Sequence, residues 1–118
     1  MTKNWKKFVK IQVKNYTLSD IKFTKVKLLS WLELRNRASI QKLKTEVYNS
    51  TNLEFVEKQV VTFQNKKETR YKCYHIFSNS RGRCFILTFN STIKVITVFP
   101  LGRKTLTRYR KDLYRSMH

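Results

Sequence analysis

Six side chains in the C-terminal half are of the types that acid–base and phosphate chemistry uses: Lys72, His75, Arg83, Arg103, Lys104 and Tyr109. Together they suit metal-free cleavage of RNA. There the 2′-hydroxyl attacks its own phosphate, so the substrate carries the nucleophile. The protein must hold the chain in line, take one proton, give another and stabilise charge on the phosphate. Arginine suits the last task because its fork is planar and always charged. A Lys, His or Tyr crowded by cations has a lowered pKa, which suits a base. Each residue also has a structural reading. Tyr109 falls on an apolar helix face, and Arg83 can be a plain surface cation. His75 alternates with Lys72 and Tyr74, so it points to the other side of its strand and reads as a structural histidine. Arg103 and Lys104 open a helix, where cations oppose the macrodipole.

Other chemistries lack their residues. The chain has no Gly-rich phosphate loop, no nucleophile elbow and no Cys/His set with metal spacing. Its 7 Asp+Glu are too few for a two-metal nuclease. No metal and no cofactor is expected. Cys73 and Cys84 are too few for a disulfide framework. A turn at Asn79-Ser80 would set them on one sheet face, as a cross-strand disulfide or as two buried thiols.

The elements that must position these residues lie mainly between Arg81 and Arg115. Gly82 to Phe89 reads as a strand, Asn90-Ser91-Thr92 as a turn and Ile93 to Phe99 as a second strand. Pro100 is expected to stop the pairing, and Gly102 to turn the backbone. A helix from about Arg103 to Met117 follows. Leu106, Tyr109, Leu113 and Met117 form one face, and Lys104, Arg108, Lys111 and Arg115 form the opposite one. No acid interrupts that cationic stripe. It reads as a phosphate track or as a solvated face.

Charge bounds the partners. The chain of 118 residues has 26 Lys+Arg and a formal net charge of +19. Self-repulsion of that size implies a polyanion, and nucleic acid, RNA above all, is the expected one. After Glu68 only Asp112 is acidic, so the binding surface is expected in this half, with Arg70, Arg81, Arg108, Lys111 and Arg115 as contacts. The apolar runs are short, so no membrane span is expected, and the N-terminus has no secretory h-region. A cytoplasmic location follows as an expectation.

The N-terminal half reads as scaffold. Phe8 to Tyr16 alternates with period two, which predicts a strand. Thr17 to Asp20 offers helix-starting residues, and apolar positions from Ile21 predict a helix to about Asn36. Ala38 to Tyr48 predicts a second helix with Ile40, Leu43 and Val47 on one stripe. Phe55 to Phe63 and Thr69 to Phe77 read as strands around a turn at Gln64 to Lys67. The whole predicts one α+β domain: an antiparallel meander of four or five strands, two N-terminal helices and a basic C-terminal helix.

The stretch RCFILTFNSTIKVITVFPLGRKTLTRY, with this order of elements, resembles the RelE-like toxins, small basic metal-free endoribonucleases of toxin–antitoxin systems. The resemblance implies roles for Arg83 on its strand, Arg103 or Lys104 after Gly102, Tyr109 on the last helix and Lys72 on the preceding strand. It implies ribosome-bound messenger or another RNA as substrate and an acidic antitoxin as partner. On this reading Arg83, Arg103 or Lys104, and Tyr109 line one concave surface. A non-catalytic nucleic-acid-binding protein, ribosomal or viral, is the alternative. It is favoured if those side chains point to separate surfaces.

Overall fold

A computed structural model describes residues 4–23, 39–78 and 81–108. A five-stranded mixed sheet runs through the centre of the α+β fold, in the order β1-β5-β4-β3-β2. The strands are β1 (Ile21–Phe23), β2 (Leu53–Phe63), β3 (Lys66–Ile76), β4 (Gly82–Phe89) and β5 (Ile93–Leu101). β2 to β5 form the expected antiparallel meander. β1 was not expected. It lies parallel to β5, with Ile21 beside Ile93 and Phe23 beside Val95.

The first expected strand is a helix, α1 (Trp5–Val13). The alternating pattern misled because Val9 and Val13 are also four apart. They and Trp5 form a helical stripe, and both valines are buried. Ile11, an apolar position of the supposed strand, is 58% exposed. Asn4 caps the helix, its side-chain oxygen accepting from the Lys7 N–H at 3.0 Å.

The helix expected from Ile21 does not start there either. The Thr17–Asp20 signals close a single 3-10 turn, Leu18–Asp20, with the Asp20 carboxylate accepting from the Thr17 N–H at 2.8 Å. The chain then extends, because the outer edge of β5 is open to a partner and Ile21 becomes fully buried there. Residues 24–36, the rest of that expected helix, lie outside the described residues. The second helix, α2 (Ser39–Asn49), forms as expected, and Leu43 and Val47 are buried.

The β2–β3 turn is tighter than the sequence suggests. It has only two residues, Gln64 and Asn65, with φ of 50° and 63°. Two successive left-handed residues match the twist of a hairpin. Pairing continues past Pro100, which lies opposite Arg83, to Leu101. β1 covers only the Ile93–Val95 part of the outer edge of β5. At Pro100 that edge has no strand partner among the described residues, so the missing N–H removes no ladder bond.

The two sheet faces have different fates. Opposed residues in an antiparallel ladder share a face. One face presents the row Val56, Cys73, Phe85 and Val98 to α1 and α2, where they join the main core. At the far end of this helix-covered face, Trp5, Phe8, Tyr71, Phe89 and Tyr16 form an aromatic cluster, with ring centroids 5.4 to 6.0 Å apart. The other face holds a small second core of Cys84, Leu101 and Leu106. Leu106 belongs to the helical segment 103–108, which among the described residues is all that covers this second face.

Cys73 and Cys84 occupy neighbouring register positions, since Cys73 faces Phe85 and Cys84 faces Tyr74. They therefore point to opposite faces, not to the same one, and both are free, buried thiols. Gly82 is buried where segment 103–108 crosses β4. A Cβ there would lie 2.9 Å from the His75 carbonyl oxygen and 3.2 Å from Leu106. Gly102 needs no glycine geometry: no glycine has positive φ, and a Cβ at this position meets nothing within 4 Å. The Leu106 N–H closes the first helical turn on the Gly102 carbonyl at 2.9 Å.

Candidate nucleic-acid interface

The register decides which expected site residues can meet. His75 and Arg83 are opposed on β3 and β4, on the helix-covered face. Lys72 is opposed to Ile86 and one position from Cys73, so it projects from the second face. Arg83 and Lys72 are thus on opposite sides of the sheet and cannot grip one phosphate. Arg103 and Lys104 are exposed at the start of segment 103–108, over the second face. Tyr109, Lys111 and Arg115 lie outside the described residues.

Arg83 is not a free cation. Its guanidinium donates to both carboxylate oxygens of Glu46 on α2, to Oε1 at 2.6 Å and to Oε2. Both side chains are largely buried, which strengthens the pair over a surface one. The guanidinium also lies 5.5 Å from the centre of the Phe77 ring. Glu46 is the residue that sequence reasoning missed. Its signal was present: it is the only acid between Glu33 and Glu54, isolated in a basic helix.

His75 is 3% exposed and packs edge-on against Phe85, with ring centroids 5.1 Å apart. Burial first, then the charges of Arg83 and Lys10, lower its pKa to about 4. It is a neutral imidazole at neutral pH, on the side of the sheet away from Lys72, as the alternation implied.

The second face carries a row of aromatic side chains. Phe55, Tyr74, Cys84 and Phe99 are opposed in turn across β2, β3, β4 and β5. The three rings are partly buried, and Phe55 and Tyr74 have centroids 5.8 Å apart. Three strand spacings of about 4.8 Å make the row about 14 Å long. Lys72 lies beside it, with Nζ 5.6 Å from the Tyr74 ring centre and 5.9 Å from that of Phe99. The Tyr74 hydroxyl beside it raises the Lys72 pKa above the ordinary lysine value. Burial raises Tyr74, and Lys72 opposes that rise. Lys72 therefore stays charged and Tyr74 stays protonated at neutral pH.

Further cations share this face. Lys94 is opposed to Thr88, Lys22 lies beside Lys94, and both are exposed. Arg70 is there too, but its Nε donates to Glu68 at 2.6 Å. Glu57, opposed to Lys72, is another acid on this face among the described residues. Arg81 is exposed at the entry to β4 and Arg108 on the last described turn. Among the described residues, Arg70 and Arg83 alone are in ion pairs, so most of the excess charge is unneutralised. No described group of three or more His, Cys, Asp and Glu could hold a metal ion. No described helix is long and apolar enough to cross a membrane.

No family model, no curated protein and no solved structure matches this chain.

Proposed function

We infer that the chain binds single-stranded nucleic acid, RNA foremost, on the second sheet face, without cleaving it. The observation that carries this reading is the row Phe55, Tyr74 and Phe99 with Lys72 beside it. Proteins that bind single strands combine ring faces, on which bases stack, with cations that follow the backbone. Lys22 and Lys94, on the same face about four strand positions from the row, and Arg103 and Lys104 at the start of segment 103–108 supply the phosphate contacts. Duplex nucleic acid has no unstacked bases for the rings.

Metal-free cleavage is the weaker reading on physical grounds. It needs a base titrating near neutrality beside the phosphate-gripping cations. On this face Lys72 is held charged and Tyr74 is held protonated. The neutral imidazole is on the other side, and Arg83 is held by Glu46. An acidic protein, the partner that a toxin-like chain would have, would compete for the same cations.

Fluorescence anisotropy with a labelled single-stranded RNA of about 12 nucleotides tests the inference. The expected result is salt-dependent binding, preference over duplex, and about a tenfold loss in Tyr74→Ala. Equal binding of duplex, with no loss in Tyr74→Ala, would overturn it. RNA cleavage in the presence of a chelator, abolished by Arg83→Ala in a folded protein, would restore the endoribonuclease.

A further inference from the structure

On the helix-covered face, two adjoining cavities open between α2 and the strand ends. The first, about 390 Å³, has His75, Phe77, Glu46 and the amides of Gln41, Asn49 and Asn52 in its wall. The second, about 330 Å³, is bordered by Lys42, Arg81, Arg83, Glu46 and Phe77. Lys42, Glu46 and Phe77 belong to both, so the two form one cleft in two compartments.

Their chemistry differs. The first compartment is rich in uncharged donors and acceptors beside an aromatic ring. Its buried polar group is His75, packed edge-on against Phe85. A buried imidazole is stabilised by hydrogen-bonding partners, which a ligand in the cavity can supply. The second compartment holds three cations against one carboxylate. Glu46 cancels Arg83, which leaves Arg81 and Lys42 for an anion.

We propose that this cleft is a nucleotide site, with the base beside Phe77 and His75 in the first compartment and the phosphate against Arg81 and Lys42 in the second. The volumes are in the range of small-ligand pockets. The neutral imidazole offers one donor and one acceptor to a base edge. The amides of Gln41, Asn49 and Asn52 extend that edge, and Phe77 offers a ring to stack on. The Glu46–Arg83 pair fixes the boundary between the compartments. The ligand is a nucleoside monophosphate unit, either free or at the end of a strand. The site lies on the face away from the Phe55–Tyr74–Phe99 row and does not depend on it.

Isothermal titration of the whole chain tests the site with AMP, GMP, CMP and UMP, their nucleosides, and inorganic phosphate. At least one nucleotide is expected to bind more tightly than its nucleoside and than phosphate alone. Arg81→Ala is expected to remove the preference of nucleotide over nucleoside. Phe77→Ala is expected to weaken both about tenfold. Arg81 is exposed and Phe77 partly so, circular dichroism checks that each variant folds, and His75 need not be touched. Tyr74→Ala on the other face is expected to leave these affinities unchanged, whatever it does to RNA. Tighter binding of a short 5′-phosphorylated RNA than of the free nucleotide identifies a strand end as the source. Equal or weaker binding identifies the free ligand. Failure of every nucleotide to bind at millimolar concentration overturns the proposal. So does phosphate binding as well as any nucleotide, or affinity indifferent to both Arg81→Ala and Phe77→Ala.

Discussion

The two faces of one sheet use similar residue types for opposite ends. On the helix-covered face the cation Arg83 is tied to Glu46, and the ring of Phe85 is fully buried in the core. On the second face the cation Lys72 has its charge raised in pKa by Tyr74, and the rings of Phe55, Tyr74 and Phe99 are only partly buried. A Cβ alternates sides along a strand, so one residue of offset sends a side chain to one fate or the other. Arg83 and Lys72 look alike in a list of basic residues. What separates them is the helix that lies over one and not over the other.

The sharpest way to break this contrast is to empty the covered face. Phe85→Ala is expected to destabilise the fold by about 4 kcal/mol, as large-to-small changes in packed cores do. Phe55→Ala, in the same kind of strand on the second face, is expected to lose less than half as much. Urea unfolding followed by circular dichroism measures both. Equal losses would mean that the second face is as closed as the first.

His75 gives the covered face a pH dependence that the other lacks. Its folded pKa of about 4 lies below the ordinary value of 6.5, so the unfolded chain binds more protons between those values. Its contribution, about 3 kcal/mol, is present above pH 6.5 and is lost as pH falls towards 4. Urea midpoints of the parent protein are expected to drop over that interval more steeply than those of His75→Gln. Parallel curves would place the imidazole in contact with water.

Glu46→Gln tests the cation on the same face. It leaves the Arg83 guanidinium partly buried without its charge partner, and a loss of about 1–2 kcal/mol is expected. Lys72→Gln on the other face is expected to change stability by less than about 0.5 kcal/mol while weakening RNA binding. If Glu46→Gln is neutral, Arg83 has a solvent route that its burial does not suggest.

A last contrast sets two glycines against each other. Gly82→Ala pushes a methyl group into the His75 carbonyl and Leu106, so the joint between β4 and segment 103–108 must shift. A loss of about 1–3 kcal/mol is expected. Gly102→Ala meets open space and is expected to be neutral or slightly stabilising. Thermal unfolding distinguishes them.

The meander was legible because its strands are long, rich in branched and aromatic residues, and parted by polar turns. Residues 53–101 follow that reading closely, apart from the reach of β5 past Pro100. The N-terminal part was not legible for a reason visible in α1. Val9 and Val13 satisfy a period of two and a spacing of four alike, and only contact with the sheet selects the helix. Thr17–Asp20 likewise carries true start signals, but an open edge on β5 ends that helix after one turn. Of the site, the basic excess and its bias toward the second half were readable. The grouping of Arg83, Arg103, Lys104 and Lys72 was not, since it depends on the register between strands.

Charge is a sum over residues, and strand periodicity is local. The sequence by itself therefore determined that this chain carries a large positive excess and that a hairpin meander forms its centre. Sidedness is neither a sum nor local. Which cation Glu46 neutralises, which rings remain only partly buried, and that His75 borders a cleft were decided only when α2 came to rest on one face of the sheet. An ion pair such as Glu46–Arg83 joins positions 37 residues apart, and no pattern within a strand or a helix records it.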